Sequence, residues 1–324
     1  MSTGSKQIDT GNLNLFGEII TRDALLRDRF IEPPFSILDT TSANWIKRRK
    51  QWLALGMQSE VGRGTNLIYN GEIGNDMDAY RHKNGTKKLK GKIAAECLPT
   101  GMTEAYGRKA HSGTSIFDPA LCELMYHWFC PDNGTIWDPF AGGSVRGIVA
   151  NKMGYNYTGC DIRPEQIEAN IAQGKQILPD NVPNWLCGDS NIVVDTLQDN
   201  SFDMIKSCPP YADLEVYSDI PGDISNMDYP EFVKFYESII AKSIAKLKPG
   251  GYAVWVVGEV RNKKGHYHGL VRDTQLIFER HGCKFYNDLI LKNAIGTATV
   301  RANNSMKNQK VVKIHQNVLV FVKV

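Results

Sequence analysis

The chain of 324 residues contains no apolar run approaching the ~18 residues that a membrane-spanning helix needs, so a transporter or anchored receptor is not indicated. Its seven cysteines, at 97, 122, 130, 160, 187, 208 and 283, are odd in number and irregular in spacing, with no Cys-x-x-Cys pair. Neither a disulfide framework nor a zinc knuckle fits that pattern, and most of these thiols are expected to be small buried hydrophobes. The triplet HYH at 266–268 offers two histidines without a clear third ligand, and no metal is expected. The opening residues, MSTGSKQIDTGN, lack the apolar core of a secretory signal, so an intracellular, cytoplasmic setting is expected. Excess charge is also scarce: 38 basic against 35 acidic residues leave a formal net charge of +3.

That small excess is unevenly spread. WIKRRKQW at 45–52 places four basic residues between two tryptophans, and RHKNGTKKLKGK at 81–92 has six Lys and Arg. RNKKGHYHGLVR at 261–272 and RANNSMKNQKVVK at 301–313 carry four each, and none of these runs contains an acid. One such run is ordinarily a solvated face. Four of them raise the expectation of a polyanionic partner, because phosphate neutralisation supplies most non-specific nucleic-acid affinity. ADLEVYSDIPGDISNMD at 212–228 opposes this with five acids and no base, and is expected to fold over a cofactor or to meet basic groups of the protein.

Residues 1–110 show no sustained periodicity and read as an irregular extension with one short helix near 42–55, a possible place for substrate recognition. Residues 111–324 read as one domain. FDPALCELMYHWF (117–129) has helical spacing, with Asp118 as cap and Pro119 in the first turn. Strands follow at TIWDPF (135–140), YTGCDI (157–162), WLCGDS (185–190), FDMIKSCPPY (202–211) and YAVWVVGEV (252–260), most of them separated by helices. KFYNDLIL (284–291) and HQNVLVFVKV (315–324) come last with no helical pattern between them, which predicts an antiparallel, long-looped hairpin. The expected fold is α/β: a doubly wound, Rossmann-like, seven-stranded and mostly parallel sheet.

Ligands of such sheets sit at the carboxyl ends of the strands. Those ends read WDPFAGG, CDI, GDS and SCPPY. Gly142 and Gly143 let a ligand approach the backbone and the next helix N-terminus, though a tight turn explains them equally well. Asp161 lies 23 positions after Asp138, near the ~20-residue interval at which an acid accepts ribose hydroxyls. The GxGxxG fingerprint is absent, and Asp138 beneath the loop would repel a pyrophosphate but reach an ammonium group. An adenosine carrying an amino acid therefore fits better than a dinucleotide.

DPFAGG, CDI, GDS and CPPY, in that order, resemble the successive motifs of class I S-adenosylmethionine-dependent methyltransferases. More closely they resemble the amino-methylating DNA methylases (N6-adenine or N4-cytosine type), whose fourth motif is (D/N/S)PP(Y/F/W), and phage-like members among them. The resemblance covers about residues 114–324. It implies that Asp138 and the loop Pro139, Phe140, Ala141, Gly142 and Gly143 cradle the methionine moiety of S-adenosylmethionine. It implies that Asp161 and Ile162 hold the ribose, and that Asp189 and Ser190 meet the adenine edge. Asp189 can also be read simply as a helix cap. Cys208, Pro209, Pro210 and Tyr211 would form the catalytic turn.

The chemistry asks for such a turn. An exocyclic amine on a base is a poor nucleophile because its lone pair is delocalised into the ring. Acceptors that grip its protons free that pair, and a proline pair fixes a bare carbonyl in one direction while Tyr211 offers a ring for an extruded base. Cys208 departs from the motif, since a thiol accepts weakly. Three readings follow: main-chain carbonyls suffice, the substrate is not an exocyclic amine, or Cys208 is a nucleophile towards a pyrimidine ring carbon.

Only 18 residues separate Asp189 from Ser207, too few for a recognition domain between these motifs. Recognition is therefore expected from residues 1–110, the 258–272 loop, or the basic 294–313 loop, whose Arg301, Lys307, Lys310 and Lys313 would meet the DNA backbone. RNA or a protein glutamine as substrate, or a catalytically silent accessory protein that binds S-adenosylmethionine or DNA, are the competing readings.

Overall fold

The computed structural model describes residues 22–58, 117–211, 220, 222–262, 264–296 and 298–324. In chain order they form α1 (Arg22–Phe30), β1 (Ile37–Asp39), α2 (Ala43–Leu53), α3 (Pro119–Phe129), β2 (Thr135–Asp138), α4 (Val145–Lys152), β3 (Asn156–Asp161) and α5 (Pro164–Ile177). Then come β4 (Asn184–Cys187), α6 (Ser190–Val193), β5 (Phe202–Ser207), α7 (Tyr229–Lys246), β6 (Leu247–Val257), α8 (Leu270–Arg280), β7 (Cys283–Lys292), α9 (Ala298–Lys307) and β8 (His315–Lys323). Most of the expected 1–110 extension, its basic run at 81–92 and its boundary with the following domain lie outside the described residues, as do 212–219 and 221 of the acidic segment. None of the described helices is long and apolar enough to cross a membrane.

Helices begin where the sequence supplies caps. Asp118 accepts from the Ala120 amide at 2.9 Å with Pro119 opening α3, and Asp228 accepts from the Glu231 amide at 2.9 Å at the start of α7. Pro164 opens α5, whose bounds match the helical spacing of its sequence.

The strands join in one eight-stranded sheet of order β1-β7-β8-β6-β5-β2-β3-β4. Pairs β2–β3, β3–β4, β2–β5, β5–β6 and β1–β7 are parallel, whereas β8 runs antiparallel to both β6 and β7. The doubly wound, mostly parallel expectation and the antiparallel closing pair are both met, with two corrections. The sheet has an eighth strand, because three residues of the supposedly irregular extension pair with β7, as Ile37 with Ile290 and Asp39 with Lys292. The connection between the last two strands is not a bare loop: it carries α9, whose sequence ATVRANNSMK shows no apolar stripe of helical period.

Alternation along the strands fills two cores. Ile136, Met204, Val254, Val256, Val318 and Val320 face α3, α4 and Trp45 of α2, whereas Trp137, Ile205, Trp255, Leu319 and Phe321 face α7 and α8. β6 is apolar on both faces, as a central strand must be, with Ala253 to Val257 all buried.

The chain runs β2–β3–β4 on one side of the sheet and then returns to β5 and β6 on the other, so the switch point lies between β2 and β5. The carboxyl ends of the seven strands that run one way gather there. Because β8 runs the other way, its amino end joins them.

Candidate active site

At this switch point opens a cavity of about 780 Å³. Pro139, Phe140, Ala141, Gly142 and Gly143 line it from β2, Asp161 and Ile162 from β3, and Asp189 and Ser190 from β4. Cys208, Pro209, Pro210 and Tyr211 line it from β5. The structure thus brings together every sequence-predicted residue of these groups except one.

The exception is Asp138. It is 0% exposed and does not line the cavity. Its carboxylate is taken up inside the protein: Arg146 Nε donates to it at 2.6 Å, Tyr157 Oη at 2.8 Å and Ser207 Oγ at 2.6 Å. The Phe140 amide also points to it, at 3.2 Å. The expected contact with a ligand ammonium group is therefore corrected. Asp138 ties the glycine loop, α4 and the end of β5 to one buried charge, and Arg146 completes the tie by donating to the Phe140 carbonyl.

That tie shapes the glycine loop. Gly142 has φ +52°, and a Cβ there would meet nothing nearer than Arg146 Nη2 at 3.9 Å, so its outer side is open to a ligand. The Gly142 amide donates to Asp161 Oδ2 at 3.0 Å and the Arg163 amide to Asp161 Oδ1 at 3.0 Å. These two bonds fix the carboxylate while leaving further lone pairs for hydroxyl donors. Burial raises the pKa of Asp161 above the usual value, and Arg163 opposes the shift.

Asp189 caps α6 through one oxygen, accepting from the Asn191 amide at 2.8 Å. Its other oxygen faces Gly222, where a side chain would come within 3.1 Å of it. The cap reading is therefore correct, and it occupies only half of the carboxylate. Ser190 Oγ donates to the Pro139 carbonyl, locking β4's end to the glycine loop. Gly222, Asp223 and Ile224 cover this same side of the cavity, where the acidic segment was expected to fold.

At the centre stands the proline turn. Cys208 packs against the apolar cluster on the α3 face and also lines the cavity. Tyr211 accepts a hydrogen bond from Gln316 Nε2 at 2.7 Å, which holds its ring to the amino end of β8. Gly258 lies beside this ring: a Cβ there would sit in ordinary contact, 3.7 Å from Tyr211 Oη and 3.8 Å from Lys313 Nζ.

The four cations expected on a substrate backbone are not equivalent. Lys307 is exposed on α9, whereas Arg301 has a buried Nε and Lys310 packs over Gly265. Lys313 stands beside Gly258, with its pKa lowered by burial against the pull of Glu259.

Sequence reading missed the far wall of the cavity. Thr40 and Thr41 after β1, Ile46, Arg49 and Lys50 of α2, and Asn293 and Ala294 after β7 line it. Only the run of basic residues at 45–52 signalled this wall; its contact with the site depends on β1 pairing with a strand some 250 residues later.

No family model and no curated protein sequence matches the chain. Solved structures resemble parts of it. TrmN from Thermus thermophilus is 12% identical with a TM-score of 0.44, over 64% of this chain and 49% of that one, so the chain spans about half of TrmN's length. A TehB-like SAM-dependent methyltransferase from Corynebacterium glutamicum is 19% identical with a TM-score of 0.40, over 78% and 100%. A SAM-dependent methyltransferase from Methanosarcina mazei is 15% identical with a TM-score of 0.42, over 62% and 97%. At these values the likenesses assign neither ligand nor reaction, which must be argued from the cavity.

Proposed function

We propose that this cavity binds S-adenosylmethionine and directs its methyl group to an exocyclic amine of adenine or cytosine extruded from DNA. The observation that carries the reading is the meeting, in one 780 Å³ space, of an open glycine loop, two strand-end aspartates and the Cys208–Tyr211 turn.

The residues suit that cofactor. The open face of Gly142 offers backbone approach, Asp161 has spare lone pairs for two ribose hydroxyls, and Asp189 has an oxygen left for an exocyclic N–H. Asp161, Asp189 and Asp223 outnumber Arg163 on this side, which suits a ligand that is cationic at sulfur and nitrogen. When bound, S-adenosylmethionine supplies a methyl group already activated by a positively charged sulfur.

The protein's share of the work is positioning. Main-chain carbonyls at Cys208 and Pro209 accept hydrogen bonds from the amine and draw its lone pair out of the ring, and the proton lost after methylation passes to solvent. Tyr211 supports the base from one side, its own angle held by Gln316. Phe140 and Pro210 help exclude water. Packing of Cys208 against apolar side chains supports the carbonyl route over nucleophilic attack by its sulfur.

Tritiated methyl transfer from S-adenosylmethionine to DNA, RNA and protein, run side by side, tests the reading. Label in DNA, recovered after digestion as a methylated adenine or cytosine nucleoside, is the expected result. Label only in RNA or protein overturns the DNA assignment, and no cofactor binding overturns the whole reading.

A further inference from the structure

The cavity is electrically lopsided. Asp161, Asp189 and Asp223 stand near the ends of β3 and β4, where Arg163 pairs with Asp161, whereas Arg49 and Lys50 of α2 stand at the other wall, which Asp118, Thr41 and Asn293 also line. The acids near those cations are shared with other donors. Asp39 is engaged by Lys292 Nζ at 2.8 Å. Asp118 accepts from Trp45 Nε1 at 2.9 Å and caps α3, so its ion pair with Arg49, at 3.8 Å from Nε, is long and shared with two other donors. Asp138 is consumed by Arg146.

The four basic residues of the 47–50 run are sorted by their positions on the helix. Arg48 is pinned by both its Nε and Nη2 to Glu123, which also accepts from Trp52 Nε1 at 2.8 Å. Trp45, 1% exposed, anchors the same face. Three side chains thus clamp α2 to α3, which turns Arg49 and Lys50 towards the cavity, while Lys47 is exposed and does not line it. A rigid helix holding two exposed cations against a ligand cavity is a device for an anion.

We infer that Arg49 and Lys50 form a phosphate-binding wall, which receives a phosphate attached to the nucleoside whose base enters the cavity. The inference deepens the proposed function and rests on it for the identity of that base. The shared chemistry is a phosphate ester, either a backbone phosphodiester next to the target or the phosphate of a single nucleotide.

The test uses the full chain, with a nucleoside, its monophosphate, a single-stranded oligonucleotide and a duplex as substrates. Arg49→Ala and Lys50→Ala should each raise KM for phosphate-bearing substrates about tenfold, the loss of one charge-assisted hydrogen bond, and leave the nucleoside unaffected. Anisotropy with a labelled oligonucleotide should show the log–log salt slope falling by about 0.7–0.9 per contact removed. Arg49→Lys should recover most of the affinity, Lys47→Ala should change nothing, and cofactor affinity should stay constant as evidence of folding.

Loss with the monophosphate as well as the oligonucleotides supports local recognition of a phosphate monoester. Loss with oligonucleotides alone supports a backbone phosphodiester. Equal losses on nucleoside and oligonucleotide, an unchanged salt slope in the double variant, or wild-type protein that binds no phosphate-bearing ligand overturns the wall. Failure to bind S-adenosylmethionine would instead strike the proposed function, while the salt slope still reports on Arg49 and Lys50.

Discussion

The ammonium nitrogen of Lys206 lies 4.0 Å from the centre of the Phe117 ring, inside the protein, where Lys206 is 0% exposed. Among the described residues it has no hydrogen-bond partner, and Arg146 shares the same ring at 4.7 Å. Burial lowers its pKa below that of an ordinary lysine. Such a group destabilises the fold wherever it must be charged.

Lys206→Met should therefore raise stability near neutral pH by about 1–3 kcal/mol. Because the folded form holds this proton less tightly than the unfolded chain, the wild type gains stability as pH climbs towards the ordinary value of 10.5. The advantage of the methionine should shrink over that interval. Urea titrations at neutral pH and near pH 10 measure it, and a methionine variant no more stable than wild type at neutral pH refutes it.

Asp138→Asn should cost about 3–5 kcal/mol, since it strips the counter-charge from buried Arg146. It should also weaken cofactor binding indirectly, through the Phe140 amide and carbonyl that the Asp138–Arg146 pair holds. Calorimetric titration alongside denaturation separates the two effects: affinity should recover in part at lower temperature, where the loop is better ordered. An Asn variant as stable as wild type would leave Asp138 without its structural role.

Asp189→Asn distinguishes a cap from a ligand contact. Asparagine caps as well as aspartate, so stability should move by less than about 0.5 kcal/mol. Losing a charged acceptor for an N–H should lower cofactor affinity about tenfold. Unchanged affinity would reduce Asp189 to its cap on α6.

Tyr211→Phe removes the hydroxyl that Gln316 holds but keeps the ring, whereas Tyr211→Ala removes both. Stacking of a base on an aromatic is worth about 1–3 kcal/mol. Transfer should fall severalfold in the Phe variant and by about a hundredfold in the Ala variant, with cofactor affinity near wild type in both. Equal activity in Ala and wild type would remove the stacking role.

Elements with strong local chemistry were legible in the sequence. α3 and α5 begin at prolines, α3 behind the cap Asp118, and both carry apolar residues at helical spacing. β6 shows its central position in an unbroken apolar run. What stayed hidden depends on partners far along the chain. β1 has three residues, too few for a period, and becomes a strand only by pairing with β7. α9 is built from Thr, Val, Arg and Asn without a regular stripe, so its helical state is set by tertiary packing of Ala298 and Ser305. Asp138 was placed correctly at a strand end, but the direction of its carboxylate is decided by Arg146 and Tyr157, which no strand-end motif reveals. Arg49 and Lys50 stood in a visible basic run, yet only the clamp on Glu123 shows which two of its four cations turn towards the site.

The pairing of Asp39 with Lys292, 253 positions apart, has a consequence for biosynthesis. During translation the glycine loop, Asp161 and Asp189 can assemble as soon as β5 has emerged, but the opposite wall must wait for β7 and for Gln316 of β8. A nascent chain therefore carries a half-built chamber, with α2 tethered to α3 and its outer edge undocked, until β7 and β8 have left the ribosome.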